Sequence, residues 1–398
     1  MVKNPITEAE VAQFRADTLG TQFVTHFNNA GAALIPNPVR EAVDHYLLEE
    51  AKYGGYEAAA RFEKELVAPK MAVARLVGAH SPGEIALVES ASIAWYKAFE
   101  ALEFKPGEVI LTSMAEYGTN FLGYLRAKKR YGIEIQVVPD NEFGEIDLAK
   151  LEEMIHEKVK LISLTHIPTN GGLVNPAAEV GQIARAHGIT YLLDACQTAG
   201  QMPIDVEEIG CDFLAATGRK FMRAPRGTGF LYARTSAMQD LDPPFTDLMG
   251  AEWESEFTYK VREDAQRFEN FENNRAARVG LGIATDYALQ IGPERIWDRV
   301  QGLASLMRKQ LSAIPGVTVT DKGRIQCGIV TFVVESQIAE EIRAYLSSLG
   351  INVSVSADWS TRLDMADRNL TAVVRASVHY YNTKEEINRL CEAVENIS

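Results

Sequence analysis

Two residues of opposite charge stand where short apolar runs end. Asp194 closes the run 190–194, and Lys220 follows the run 213–216, twenty-six positions later. A carboxylate buried at a strand end costs several kcal/mol unless a cationic or protonated group lies nearby, and a structural arginine would serve as well as a ligand. An amine at a neighbouring strand end can act as nucleophile or base. Lys220 sits in a loop with Arg219, Arg223 and Arg226. Such a cluster is most simply a solvated face, so the flanking apolar runs are what place Lys220 at a sheet rim.

Three more junctions follow apolar runs. Glu89-Ser-Ala-Ser-Ile-Ala-Trp95 opens a helix on small residues, and its free N–H groups and dipole suit a phosphate, although Ser90 or Ser92 also reads as an ordinary N-cap. Ser113-Met-Ala-Glu-Tyr-Gly-Thr-Asn120 brings Tyr117 near the sheet end, to stack on a planar ligand or simply to pack. His166-Ile-Pro-Thr-Asn-Gly-Gly is a turn-rich loop in which Thr169 is the stronger candidate. An acid, an amine, an aromatic and a phosphate-binding helix start are together what a pyridoxal phosphate site requires.

The elements that must hold these residues show in the hydrophobic pattern. Apolar runs at 85–88, 109–112, 135–138, 161–165, 190–194, 213–216 and 229–233 alternate with helical stripes such as 37–53 and 65–76. That rhythm predicts an α/β fold, a mainly parallel seven-stranded sheet sandwiched by helices. Residues 241–259 read as a polar, aperiodic excursion and no element. A helical pattern from 276 to 313, broken at Gly292-Pro293, then leads into short strands and helices of a smaller C-terminal α+β domain. The expected division is an N-terminal segment 1–20 packing on the small domain, a large domain 21–275 and a small domain 276–398.

The 398 residues are 46% hydrophobic and 24% charged, which fits a globular chain and excludes disorder. Forty Lys and Arg against fifty-four Asp and Glu leave a net charge of −14, which makes nucleic acid a poor partner. The longest apolar runs are strand-sized, far below the ~20 residues of a membrane helix. The start, Met1-Val-Lys-Asn-Pro-Ile, lacks an apolar signal core, and Cys196, Cys211, Cys327 and Cys391 show no metal-ligand spacing. A cytoplasmic protein without a metal site is expected.

Asp194-Ala-Cys-Gln197 and Thr217-Gly-Arg-Lys220, with Phe27-Asn-Asn-Ala-Gly31 and Val374-Arg-Ala-Ser-Val-His379 near the two ends, resemble the fold-type I pyridoxal-phosphate enzymes of the class V aminotransferase group. That group includes cysteine desulfurases, selenocysteine lyase, isopenicillin N epimerase and C–S lyases. The resemblance implies that Lys220 bonds covalently to the cofactor, Asp194 pairs with its pyridine nitrogen and Tyr117 stacks on its ring, where many members carry histidine. It places Thr169 and Gln197 near the phenolic oxygen, and Ser90, Ala91, Ser92, Thr217 and Arg219 at the phosphate, with Asn273 contributed by a second subunit of a homodimer with shared sites. It gives the amino-acid substrate to Arg375, which clamps the α-carboxylate, and to Asn29 and Tyr56.

Desulfurases of this group carry a nucleophilic cysteine on a loop shortly before the last helices, and residues 354–368 contain none. Persulfide chemistry is therefore disfavoured. The expected activity is β-elimination of a sulfur group from a cysteine-derived amino acid (thioether, sulfoxide or cystine), giving pyruvate, ammonia and a sulfur product. Transamination and epimerisation are the alternatives at the same site. A cofactor-binding protein without turnover is a third reading, and the presence of both Lys220 and Asp194 weighs against it.

Overall fold

A computed structural model describes residues 4–398; the first three positions of the expected N-terminal segment lie outside the described residues. Helix α1 (Glu8–Ala16) begins at a capping box in which Thr7 and Glu10 exchange side-chain and backbone hydrogen bonds. Its buried residues Val11 and Phe14 pack into the C-terminal core. Thr25–His26 pairs in parallel with Ile351–Asn352 and ties the same end of the chain to that region.

Seven strands form the central sheet: β1 (Ile85–Val88), β2 (Val109–Ser113), β3 (Glu134–Val138), β4 (Val159–Thr165), β5 (Thr190–Asp194), β6 (Phe213–Thr217) and β7 (Gly229–Ala233). Their spatial order is β1-β7-β6-β5-β4-β2-β3. Only β7 runs against its neighbours; the other adjacent pairs are parallel. All seven strands match apolar runs in the sequence; in all but β3, which lies at the sheet edge and is only partly buried, both faces are covered and neither residue parity can be polar. Leu87, Leu111, Leu164, Leu193 and Leu214 share a core with α2 (Glu63–Val77) and the helix Ala177–His187, whereas Ala86, Ile110, Leu161, Leu192 and Phe213 share another with α3 (Ala91–Glu100) and α4 (Gly118–Tyr131). Each large side chain buried there contributes roughly 1.5–3 kcal/mol.

The excursion differs from expectation. It contains a hairpin, β8 (Ala251–Ser255) with β9 (Thr258–Val261). Its side chains are nearly all exposed, so no hydrophobic alternation marks it in the sequence.

Helices α5 (Arg275–Ile291) and α6 (Pro293–Leu311) meet at Gly292, whose φ of 98° lies where only glycine is unstrained. Helix α5 serves two cores: Leu281 and Ala284 pack with the large sheet, Ala288 and Ile291 with the C-terminal one. The second sheet consists of β10 (Val317–Val319), β11 (Ile329–Val334), β12 (Ser354–Ala357) and β13 (Ala372–Ser377) in the antiparallel order β10-β11-β13-β12. Helix α7 (Lys384–Glu395) closes the chain. Among the described residues no helix is long and apolar enough to cross a membrane.

Candidate active site

Parallel strands β4, β5 and β6 end on the same side of the sheet, so Thr165, Asp194 and Thr217 form a row at its carboxyl edge, where ligands of such folds bind. Asp194 is 5% exposed. Its Oδ1 accepts from the Cys196 backbone N–H at 2.9 Å, and its Oδ2 from Asn120 Nδ2 at 2.8 Å. Burial pushes its carboxyl pKa up, while these two donors and the Lys220 ammonium pull it back. Lys220 is 9% exposed, and its charge acts on both Asp194 and the Cys196 thiol. The sheet therefore holds a buried acid and a buried amine at adjoining strand ends, with Cys196 between them.

Burial also raises the pKa of Cys196, so it stands as a neutral thiol beside Lys220. Cys211, Cys327 and Cys391 are buried, and burial raises each of their pKa values as well. Among the described residues no group of three His, Cys, Asp or Glu could hold a metal ion.

On the other side of the site, Tyr117 precedes α4 and lies close enough to Arg375 to act on its charge. Arg375, in β13, is 9% exposed; it donates from Nε to Ser354 Oγ at 3.1 Å and from Nη1 to the Thr169 hydroxyl and carbonyl, the latter at 3.4 Å. Thr169 thus holds Arg375, a contact the sequence does not announce. Gln197 donates to the Ala30 carbonyl at 3.2 Å, and Arg219 to the Gly31 carbonyl. The side-chain oxygen of Gln197, Oε1, is buried without a partner, an acceptor left for a ligand's donor.

Ser90 caps α3 through Ile93 N–H at 3.3 Å, leaving Ala91 and Ser92 in the first turn. Thr217 donates to the Thr228 carbonyl at 3.2 Å. A Cβ on Gly229 would lie 2.7 Å from the Ala216 oxygen and 2.8 Å from the Ser90 carbonyl carbon, so glycine lets the ends of β6 and β7 close on the start of α3. These residues fit a phosphate at the helix start and a protonated ring nitrogen against Asp194.

Three expected site residues stand apart in the single chain. Asn29 is fully buried, giving Nδ2 to the Ser377 carbonyl at 2.7 Å and taking Tyr381 OH on Oδ1, so it orders the segment at 29–31. Tyr56 is 73% exposed on the helix Gly55–Arg61. Asn273 binds the Asn270 and Phe271 carbonyls of its own loop. Sequence reasoning missed Glu116 and Asn120. Their signal was an acid and an amide four apart around the start of a helix that follows a buried strand.

This fold and this site define a fold-type I pyridoxal-phosphate enzyme. The chain belongs to the Aminotransferase class-V family, which matches residues 25–390. It is 31% identical over 379 residues to a probable cysteine desulfurase of Methanothermobacter thermautotrophicus, covering 94% of both chains, and 32% identical over 384 residues to one of Xylella fastidiosa, covering 93% and 89%. The apo structure of a cysteine desulfurase from Thermococcus onnurineus superposes with a TM-score of 0.90 at 27% identity, over 100% of this chain and 99% of that one.

Proposed function

We propose that the enzyme cleaves the carbon–sulfur bond of a cysteine-derived amino acid by β-elimination, releasing a thiol or sulfenic acid and, with one water consumed, pyruvate and ammonia. The observation that carries this reading is the approach of Lys220 to Asp194 and Cys196, opposite an Arg375 that has no acid partner. Pyridoxal phosphate, when bound, supplies the electron sink for a carbanion at the substrate's α-carbon.

The protein's own residues do the rest. Asp194 keeps a proton on the ring nitrogen it faces. Lys220 would hold the cofactor between turnovers, and its free amine would take the substrate's α-proton and return a proton to the departing sulfur. Tyr117 stacks on the ring, and Thr169 and Gln197 stand near its phenolic oxygen. The first-turn N–H groups at Ser90, Ala91 and Ser92, with the Thr217 hydroxyl, take the phosphate. Arg375 clamps the α-carboxylate and fixes which substituent of the α-carbon faces Lys220.

Elimination is favoured over a desulfurase's persulfide transfer by what occupies residues 354–368. That segment is ordered by polar ties, among them Asn170 to Thr361 at 3.0 Å and Lys322 to Asp364 at 3.1 Å, and its packing leaves 2.5 Å between the Trp359 carbonyl and the place of a Cβ on Gly118. It holds no cysteine. The large domain, 21–275, binds the cofactor; the small domain, 276–398, supplies Arg375; the N-terminal segment, 1–20, leans on the latter. The working form is a cytoplasmic homodimer in which Asn273 and Tyr56 reach the neighbouring site, a reading that the exposed Tyr56, Trp253 and Phe257 support.

The test is pyruvate release from a panel of cysteine thioethers, sulfoxides and cystine, with free cysteine and a thiol reductant as the desulfurase control. Pyruvate from the conjugates supports elimination. Sulfide and alanine from cysteine alone, without pyruvate, contradict it.

A further inference from the structure

An apolar cavity opens beside Tyr117, between the start of α4 and the segment 359–363. Its volume is about 510 Å³, within the range of small-molecule sites. Tyr117, Phe121, Leu122 and Leu125 form one wall, and Trp359 and Leu363 the other. Phe121, Leu122 and Leu125 stand three and four apart on α4, so they share one face of that helix. Leu122 is 63% and Trp359 64% exposed, and large apolar side chains gathered in the open mark a place where something binds. The charged groups at its margin are answered from within the protein. Glu116 backs the cavity, but its oxygens are engaged by Thr112, Asn120 and the Tyr117 backbone N–H, and Arg362 at the rim lies 4.0 Å from Asp358.

The cavity continues the site. Tyr117 N–H lies 3.4 Å from Thr165 Oγ1 at the end of β4, and Tyr117 acts on the charge of Arg375. The opposite wall is tied in as well: Ser354, which takes Arg375 Nε at 3.1 Å, begins the strand that runs into Trp359, and Asn170, next to Thr169, donates to Thr361 at 3.0 Å. In the sheet the strands stand in the order β6, β5, β4, β2. Along their carboxyl edge therefore come the phosphate end, Asp194, Thr169 with Arg375, and then the cavity, two strand spacings or about 10 Å beyond Asp194. An amino acid with its carboxylate on Arg375, its amine toward the cofactor and its α-hydrogen toward Lys220 has one substituent left to extend that way, the sulfur-bearing side chain.

We propose that this cavity seats the sulfur-borne portion of the substrate, and that this portion is an aromatic group of benzyl size or larger, packed against Tyr117, Phe121 and Trp359. The proposal rests on the elimination reading for the sulfur linkage, whereas the seat itself is measured by binding alone.

Two amino acids in which methylene replaces sulfur, 2-amino-5-phenylpentanoate and norvaline, present the same carboxylate to Arg375 and cannot eliminate. Their dissociation constants from the pyridoxal-phosphate-loaded enzyme are read from the change in its visible band, in wild type, Leu122→Asp and Trp359→Ala, both substitutions of exposed side chains. Wild type should bind the phenyl compound roughly 10- to 100-fold tighter than norvaline, the worth of one buried aromatic side chain, and each variant should lose most of that preference. Equal affinities in wild type overturn the proposal, and so does a preference undiminished in both variants, which would seat the ring elsewhere. Equal affinities together with a dimer that dissociates in Leu122→Asp, seen by sedimentation, would give this face to a second copy. A preference that depends on Leu122 and Trp359, with no pyruvate from S-benzylcysteine, would keep the seat and remove the elimination reading; pyruvate from S-benzylcysteine without any preference would do the reverse.

Discussion

Asp194 and Glu116 are held by one amide nitrogen: Asn120 Nδ2 lies 2.8 Å from Asp194 Oδ2 and 3.0 Å from Glu116 Oε1. Glu116 is 3% exposed and also accepts from Thr112 Oγ1 at 2.9 Å, the Tyr117 backbone N–H at 2.8 Å, Tyr124 OH at 3.2 Å and the Thr165 hydroxyl. Burial raises its pKa, and the nearby Asp194 raises it further, against the pull of these donors. Asp194 is thus fixed from behind by a fully hydrogen-bonded network.

Removing the shared donor isolates that relationship. Asn120→Leu leaves Asp194 with one hydrogen bond and a higher pKa. A hydrogen bond to a charged group contributes about 1.5–3 kcal/mol, so the cofactor's dissociation constant should rise roughly 10- to 100-fold. Titration of cofactor-free protein followed by the visible absorption band measures it, and an unchanged constant would remove Asn120 from the support of Asp194.

Arg375→Gln should raise KM for amino-acid substrates by roughly 10- to 100-fold, because a bidentate carboxylate contact is lost, while cofactor content stays at the wild-type level. Steady-state kinetics with a fixed substrate checks it. A fall in kcat with KM unchanged would mean that Arg375 acts on the chemistry and not on the seat.

Buried histidines make the protein acid-sensitive in a defined direction. His379 Nε2 lies 2.7 Å from the Phe221 carbonyl, and its Nδ1 accepts from the Tyr380 backbone N–H at 3.0 Å, so both ring nitrogens are satisfied in the neutral tautomer. Burial, with the nearby Arg223, lowers its pKa from 6.5 to about 3, and burial lowers that of His166 to about 4. The unfolded chain binds these protons at higher pH than the folded one. Their stabilising contribution is therefore complete above pH 6.5 and shrinks as pH falls toward 3 to 4. Urea unfolding at pH 7 and pH 5 should show wild type losing more stability than His379→Gln, and equal losses would contradict the assignment.

How much of this was legible in the sequence depended on where each residue sat. Six of the seven strands could be read because both of their faces are buried, edge strand β3 because Ile135, Val137 and Val138 still make an apolar run, and the break between α5 and α6 because Gly292 and Pro293 punctuate it. Asp194 and Lys220 stood out because ionisable groups at the ends of apolar runs need a reason, whereas Arg375 was picked out only by the family resemblance. Hairpin β8–β9 was invisible, since a surface ribbon buries no face. Glu116 and Asn120 escaped because their tie to the site runs through Asp194, 74 positions from Asn120. The contact of Thr169 with Arg375 spans 206 positions, which no local pattern records.

The central claim is that Lys220 and Asp194 face one cofactor ring, and it is tested most directly by reducing the pyridoxal-phosphate-loaded enzyme with borohydride and mapping the modified peptide by mass spectrometry. The account predicts that the visible band bleaches and that one pyridoxyl adduct is fixed on Lys220, with none formed in Lys220→Ala, whose turnover falls at least ~10³-fold. An adduct on another lysine, or a Lys220→Ala enzyme that keeps both adduct and turnover, would contradict it.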